Sequence, residues 1–304
     1  MRTSLLLATR NRLADLQSCL AAIRRLRVPC GSSLEVLVVD NGSIDGTEEW
    51  LSSLPAELAP GVRLVPLHEP QPGKSRALNR AISASTGEVL AFIDDDVEVA
   101  PDWLEALEDG FRTGAGALQG GIRLGLGQTT PWWMSPRVEA ILAGTALWTE
   151  KTPVTSMIGS NMAVRREDGL PAWCEEIGPG VPRFPFGEDS DWSRRCLETR
   201  PGLFWPAMAA THVLKDRVRL GEVLRRQFYG GLNQAIHSPR RLRLSLQTLG
   251  AMPREMARLA WHLLRGRPER ALDAVWTLAR QTGILSAAWG RGQGHPHWAR
   301  PEGC

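Results

Sequence analysis

The sequence has almost no lysine. Lys74, Lys151 and Lys215 are the only three, so nearly all of its 36 basic residues are arginine. Set against 33 acidic side chains, these leave a net charge of only +3, too mild a balance to indicate nucleic-acid binding. Cysteine is also sparse: Cys19, Cys30, Cys174, Cys196 and Cys304 show no metal-ligand spacing, and their odd number fits free thiols in a reducing compartment. No apolar run approaches the roughly 18 residues of a membrane span, and the short segment before Arg10 and Arg12 lacks the length of a signal-peptide core. A cytoplasmic location is therefore the expectation, with peripheral contact at a membrane surface left open. Neither GxGxxG nor GxxxxGK[ST] follows the first strand, so dinucleotide and P-loop readings lose support. There are no internal repeats.

What remains is an ordinary globular composition, 43% apolar and 23% charged over 304 residues, enough for one large domain with an extension. Ser4 to Ala8 reads as a short apolar strand, followed by Leu13, Leu16, Leu20, Ile23 and Leu26 at helical spacing. Leu34 to Val39 is a second buried strand ending in Asp40, and the loop 41–46 leads to a helix that Thr47 can cap. Val62 to Leu67 is a third strand, broken by Pro70-Gln71-Pro72-Gly73 before a helix over Lys74 to Ala84. Val89 to Ile93 is a fourth. This alternation predicts an α/β fold with a mostly parallel sheet flanked by helices.

The fourth strand ends in Asp94-Asp95-Asp96. Ligands of open α/β sheets collect beyond the carboxyl ends of strands, and three adjacent carboxylates repel unless a cation or donor groups compensate. An all-oxygen cluster suits magnesium or manganese shared with a phosphate; the plainer reading is an acidic turn capping the next helix. Asp40, taken alone, reads as a turn residue. Two acids at the ends of two strands of one sheet point to a shared site.

Val38-Val39-Asp40-Asn41-Gly42-Ser43, Gly73-Lys74-Ser75-Arg76-Ala77-Leu78-Asn79 and Phe92-Ile93-Asp94-Asp95-Asp96, in that order, resemble the family-2 glycosyltransferases of GT-A fold. The resemblance covers roughly the first two thirds of the chain. Ala8-Thr9-Arg10-Asn11-Arg12 is similar to that family's first loop, with Ala8 where a proline is usual. By the resemblance Thr9 and Asp40 would hold base and ribose of a nucleotide sugar, and Lys74 would approach the nucleotide or its diphosphate. Asp94 and Asp96 would be the acids of a DxD motif, Asp94 nearer the ribose and Asp96 on the metal, with Asp95 between them at the donor. Met157 to Val164 reads as a strand interrupted at Gly159, a β-bulge or, by the resemblance, a glycine loop against the donor sugar.

Phe186-Gly187-Glu188-Asp189-Ser190-Asp191-Trp192 is a second acidic cluster. As bare sequence it is an acid-enriched helix start. It also resembles the family's ED motif, which makes Asp189 the general base of an inverting transfer, with Glu188 a neighbour of unassigned duty. His212, at a strand end, is either structural or, by the resemblance, a further ligand of the metal. Trp132-Trp133 reads as buried packing, with acceptor stacking as the alternative.

The expected organisation is a nucleotide-sugar-binding catalytic domain over 1–215, a helical extension over 216–289 and a disordered tail over 290–304. Arg217, Arg219, Arg225 and Arg226 accompany the extension's first apolar stripe. The activity implied is a manganese- or magnesium-dependent transfer of a sugar from a nucleoside diphosphate to a hydroxyl of a glycan, a lipid-linked acceptor or a small molecule, with no nucleic-acid partner. The rivals are a nucleotidyltransferase, which would need a basic glycine-rich first loop, and a non-catalytic nucleotide-sugar-binding member of the same fold.

Overall fold

A computed structural model of the chain describes residues 1–126, 131–145, 148–167, 169–182, 185–215, 219–236, 238 and 240–292. Its elements are β1 (Arg2–Thr9), α1 (Leu13–Ile23), β2 (Ser33–Asp40), α2 (Thr47–Ser53), β3 (Glu57–Ala59), β4 (Val62–His68), α3 (Lys74–Ala84), β5 (Val89–Ile93), β6 (Val97–Val99), α4 (Trp103–Arg112) and β7 (Ala117–Leu126). They continue as α5 (Pro136–Ala143), β8 (Pro153–Val154), β9 (Asn161–Arg165), α6 (Glu188–Leu197), β10 (Gly202–Lys215), α7 (Leu220–Ile236), α8 (Arg241–Leu264) and α9 (Pro268–Gly292). Two compact units result, Met1–Gly125 with Thr145–Val213, and Leu126–Gly144 with the chain from Leu214 onward.

In the first unit the sheet runs β3-β4-β2-β1-β5-β9-β7-β10-β6, with β8 also on β10. β4, β2, β1 and β5 are parallel. Beyond β5 the sheet turns antiparallel through β9 and β7, and β6 pairs antiparallel with β10. β5 and the Leu5-Leu6-Leu7 stretch of β1 are continuous apolar runs because both faces are covered there. Val89, Ala91 and Ile93 of β5 join the core that contains α1 and α4 residues, whereas Leu90 and Phe92 join the one containing α3 and α6 residues. On the latter face Trp173 and Trp192 stack at 4.7 Å, and Phe92 meets them edge-on at 5.6 and 5.0 Å. Truncating Trp192 to alanine would cost about 3–5 kcal/mol.

The register of the parallel strands sets a row of side chains at their carboxyl edge. Thr9 lies opposite Asp40, and Asp40 opposite His68. Asn41 fixes the loop beyond: its Oδ1 accepts the Gly73 N–H at 2.8 Å, and its Nδ2 donates to Glu69 O and Gln71 O. Gly73, with φ of 146°, then turns the chain into α3 so that Lys74 opens that helix beneath the acids.

The second unit is helical. α7 packs on α9, and α9 on α8. Gly231 and Gly283 permit the first contact, since a Cβ on either would collide with the backbone of Arg280 or Phe228. α5 falls in this unit, within the range 1–215 expected to form one domain, and its Arg137 donates to Asp273 O and Thr277 Oγ1. α9 continues to Gly292, three residues into the segment expected to be disordered; 293–304 lie outside the described residues. Trp132 is 68% exposed, which corrects the packing expected of it: it sits in a turn before α5. Among the described residues Cys19, Cys30 and Cys196 are free thiols.

Candidate functional site at the carboxyl edge of the sheet

The turn after β5 presents its three carboxylates to three different surroundings. It is pinned by Val97 N–H donating to Asp94 O at 3.2 Å and Val213 N–H donating to Asp96 O at 2.8 Å. Asp94 Oδ1 accepts from Lys74 Nζ at 2.6 Å. Asp95 accepts from Thr9 Oγ1 at 2.8 Å and from Arg12 Nη1 at 3.1 Å. Asp96 Oδ2 accepts from the same Arg12 nitrogen at 2.6 Å, while its Oδ1 faces His212 Nε2 at 3.4 Å. The mutual repulsion of the triplet is thus met by two cations and a hydroxyl.

Burial pushes the Asp95 carboxyl up to about 6, with Arg12 and the Thr9 hydroxyl pulling the other way. For Asp96 burial acts in the same sense but is outweighed by His212 and Arg12, which hold it below the usual carboxylate range. Burial disfavours the charged forms of Arg12 and Lys74, yet the acids around them more than offset it and both are raised.

Asp40, at the end of β2, is buried; its Oδ1 accepts the Ser43 N–H at 3.1 Å. Its Oδ2 has no hydrogen-bond partner among the described residues and lies 3.6 Å from His68 Nδ1. A buried carboxylate oxygen of this kind can accept the N–H of a base or a ribose hydroxyl.

The second acidic cluster closes on the first. Gly187, with φ of 97°, is the N-cap of α6 and places Glu188, Asp189 and Asp191 in its first turn. Asp189 Oδ2 accepts the Gly159 N–H at 3.2 Å, and Oδ1 accepts the Ser190 N–H at 2.7 Å. Lys74 Nζ lies 3.5 Å from Glu188 Oε1, so one ammonium joins the β5 turn to the α6 start. Burial raises Glu188 to about 7 despite Lys74. A Cβ on Gly159 would stand 3.3 Å from Asp189 Cβ and 3.9 Å from Lys74 Nζ, so this backbone runs directly against both side chains.

Thr9, Asp95, Asp96 and His212 therefore form one group around Arg12. Lys74, Asp94 and Glu188 form a second, and Asp189 with Gly159 a third beside it; Asp40 stands one strand further along. Arg12 and His68 escaped the sequence reading as site residues. Arg12 lies in the first-loop motif, but only the fold of that loop shows its guanidinium on the triplet, and His68 becomes visible only through its register with Asp40.

Two places offer donors to a cation. Asp96 and His212 supply a facing oxygen and nitrogen, and a site with just two protein donors suits a hard ion completed by diphosphate oxygens and water. Among the described residues Asp40, Glu48 and His68 also bring three donor atoms within 4.8 Å of one another. Glu48 is exposed there, and Asp40 and His68 stand at the ends of β2 and β4 rather than in the turn after β5.

The glycosyl transferase family 2 model matches residues 4–170. Among curated proteins, the succinoglycan biosynthesis protein ExoM of Rhizobium meliloti is 36% identical over 124 residues, 40% of this chain and 40% of its own length. Glycosyltransferase AglE of Haloferax volcanii is 28% identical over 237 residues, 76% of this chain and 72% of its own. The match thus spans less than half of ExoM and most of AglE. Among solved structures, the mannosyltransferase PcManGT from Pyrobaculum calidifontis in complex with GDP-Man and Mn2+ aligns at a TM-score of 0.61 and 21% identity, covering 96% of this chain and 87% of that one. S. aureus TarS 1–349 in complex with UDP-GlcNAc aligns at 0.55 and 14% identity, covering 97% and 92%. At such identities these structures speak for the fold, a GT-A sheet flanked by helices. With more than half of its length matched, and with the motifs standing at the carboxyl edge of that sheet, the chain belongs to glycosyl transferase family 2.

Proposed function

We propose that this chain is an inverting glycosyltransferase that takes a nucleoside-diphosphate sugar as donor and a hydroxyl as acceptor. The observation that carries the reading is Lys74, whose ammonium contacts both Asp94 and Glu188 and so draws the β5 acids and the α6 acids into one site. The complexes of PcManGT with GDP-Man and of TarS with UDP-GlcNAc support a nucleotide-sugar donor on this fold.

In this reading Asp40 and Thr9 receive the nucleoside, and Lys74 provides positive charge to the diphosphate. Asp94 and Asp95 flank the ribose and sugar, and the Gly159 backbone borders the sugar itself. Asp96 and His212 would hold a divalent cation, magnesium or manganese, which when bound neutralises charge on the departing diphosphate. Asp189 accepts the proton of the acceptor hydroxyl as that oxygen forms its bond to C1, and the C1–diphosphate bond breaks on the opposite face. Its carboxylate is held by the Gly159 and Ser190 N–H groups, which fixes its aim.

The test is thermal-shift titration with UDP, GDP and dTDP sugars, with and without manganese, since a ligand bound only by the folded chain raises its apparent stability. A manganese-dependent shift with one nucleotide class supports the reading. No shift with any of them removes it.

A further inference from the structure

α8 turns an apolar stripe away from its helical neighbour. Its inner side packs towards α9, with Ser245 and Thr248 buried and Leu244 against the cluster of Leu232, Ala235, Ile284 and Ala287. On the outer side Leu246, Leu249, Met256 and Leu263 recur at heptad positions and are 62%, 58%, 60% and 59% exposed. Pro253 and Ala260 fill the positions between them and are exposed as well. The same stripe ends in Leu264, also exposed, with no covering partner among the described residues.

Its border is basic. Arg243, Arg254 and Arg265 are exposed along one flank, and the Arg265 guanidinium lies 4.1 Å over the ring of half-exposed Trp261. The one acid of the helix, Glu255, lies towards the packed side and is paired with Arg258 at 3.0 Å. The exposed face therefore joins an apolar strip to positive charge with no negative charge of its own. α7 differs: its Arg225 and Arg226 both pair with Glu222. No described helix is long and apolar enough to cross a membrane.

We infer that α8 is a membrane-surface element, laying its Leu246–Leu264 stripe into the acyl boundary of an anionic bilayer with its arginines at the phosphate headgroups. Charge complementarity selects this occupant. A second copy of the chain would bring faces of like charge together without an acid on either to offset them. Trp261 beside Arg265 is the pairing of aromatic and cation favoured at headgroup depth.

Flotation of the full chain tests the assignment, using phosphatidylcholine vesicles and vesicles with about a third phosphatidylglycerol, at low and physiological salt. Retention is expected on the anionic vesicles and should weaken with salt. Leu249→Glu with Met256→Glu should lower the partition coefficient by about 100-fold, and Arg254→Gln or Arg265→Gln by about fivefold each. All four positions are exposed, so melting curves should match the parent. Absence of retention on anionic vesicles overturns the assignment, as does unchanged retention of the double variant. A dimer that the double variant abolishes, without vesicle binding, gives the stripe to a second copy. Donor binding by thermal shift is a separate readout, so failure of the sugar-transfer reading would leave flotation untouched.

Discussion

The Gly159 N–H donates to Asp189 Oδ2 over 3.2 Å, while Asp189 Oδ1 accepts from Ser190 N–H at the start of α6. Both carboxylate oxygens are thus held by backbone donors from two elements, the approach to β9 and the first turn of a helix. A charged acceptor is well placed at a helix N-terminus, and two fixed donors restrict its rotation. The missing side chain at residue 159 is part of the arrangement, because a Cβ there would press on Asp189 Cβ at 3.3 Å.

Asp189→Asn should separate positioning from proton transfer. The amide keeps one oxygen for a backbone donor but has no basic carboxylate. Donor affinity should stay within about threefold while kcat falls by about 100-fold or more, the usual scale for a lost base. Normal turnover in this variant would move the base to Glu188 or Asp191, or remove the inverting mechanism.

Cation dependence should trace to Asp96 and His212, whose facing atoms stand 3.4 Å apart. Asp96→Ala and His212→Ala should each diminish the manganese-enhanced part of nucleoside-diphosphate binding, read by calorimetry with and without chelator. If the unaltered chain binds donor equally in chelator and turns over fully, neither residue holds a catalytic ion.

Arg12 is expected to stabilise the ligand-free chain by compensating Asp95 and Asp96. Its side chain is 43% exposed, so solvent screening discounts the contact. Arg12→Ala should cost about 1–2 kcal/mol, or roughly 2–8 °C in Tm. Manganese should restore more Tm in the variant than in the parent, since an ion at Asp96 would replace the lost charge. Equal manganese shifts in both would argue that the ion binds elsewhere, with Asp40, Glu48 and His68 the next place to look.

Much of the fold was legible because the central parallel strands are covered on both faces: Val89 to Ile93 is an unbroken apolar run, Leu34 to Val39 is apolar but for the buried Glu35, and each ends in an acid. The antiparallel half was harder to read. β9 is only five residues long, and its pairing with β5 depends on contacts between residues some seventy positions apart. The acids of the site stood out by their place at strand ends and at a helix start, but their compensating cations did not. Arg12 among 36 basic residues carries no local signal of its own, and the reach of Lys74 to Glu188 spans more than a hundred positions. Trp132 misled for a related reason: an apolar residue in a turn reads as core unless the fold shows that nothing covers it.

Glu188 should give the ligand-free chain a pH-dependent stability. Its carboxyl is raised by burial to about 7 from an ordinary 4.5, so the folded state binds the proton more tightly than the unfolded one. The resulting stabilisation is fully present below about 4.5 and is lost as pH rises through about 7. Asp95, raised by burial to about 6, acts in the same direction within the same window. Asp96 has the opposite sign: it is held low, so its contribution is present above its ordinary 3.8 and is lost only on stronger acidification. Between pH 5 and 8 the two raised groups therefore govern, and stability should fall as pH rises. Glu188→Gln removes the larger shift while keeping the shape, and Lys74 retains Asp94 as its partner. The variant should show a flatter dependence of unfolding free energy on pH and be more stable than the parent at pH 8 by about 1–2 kcal/mol. Urea melts across that range measure both. Parallel curves for the two proteins would mean that Glu188 is already ionised throughout, its charge held by Lys74 alone.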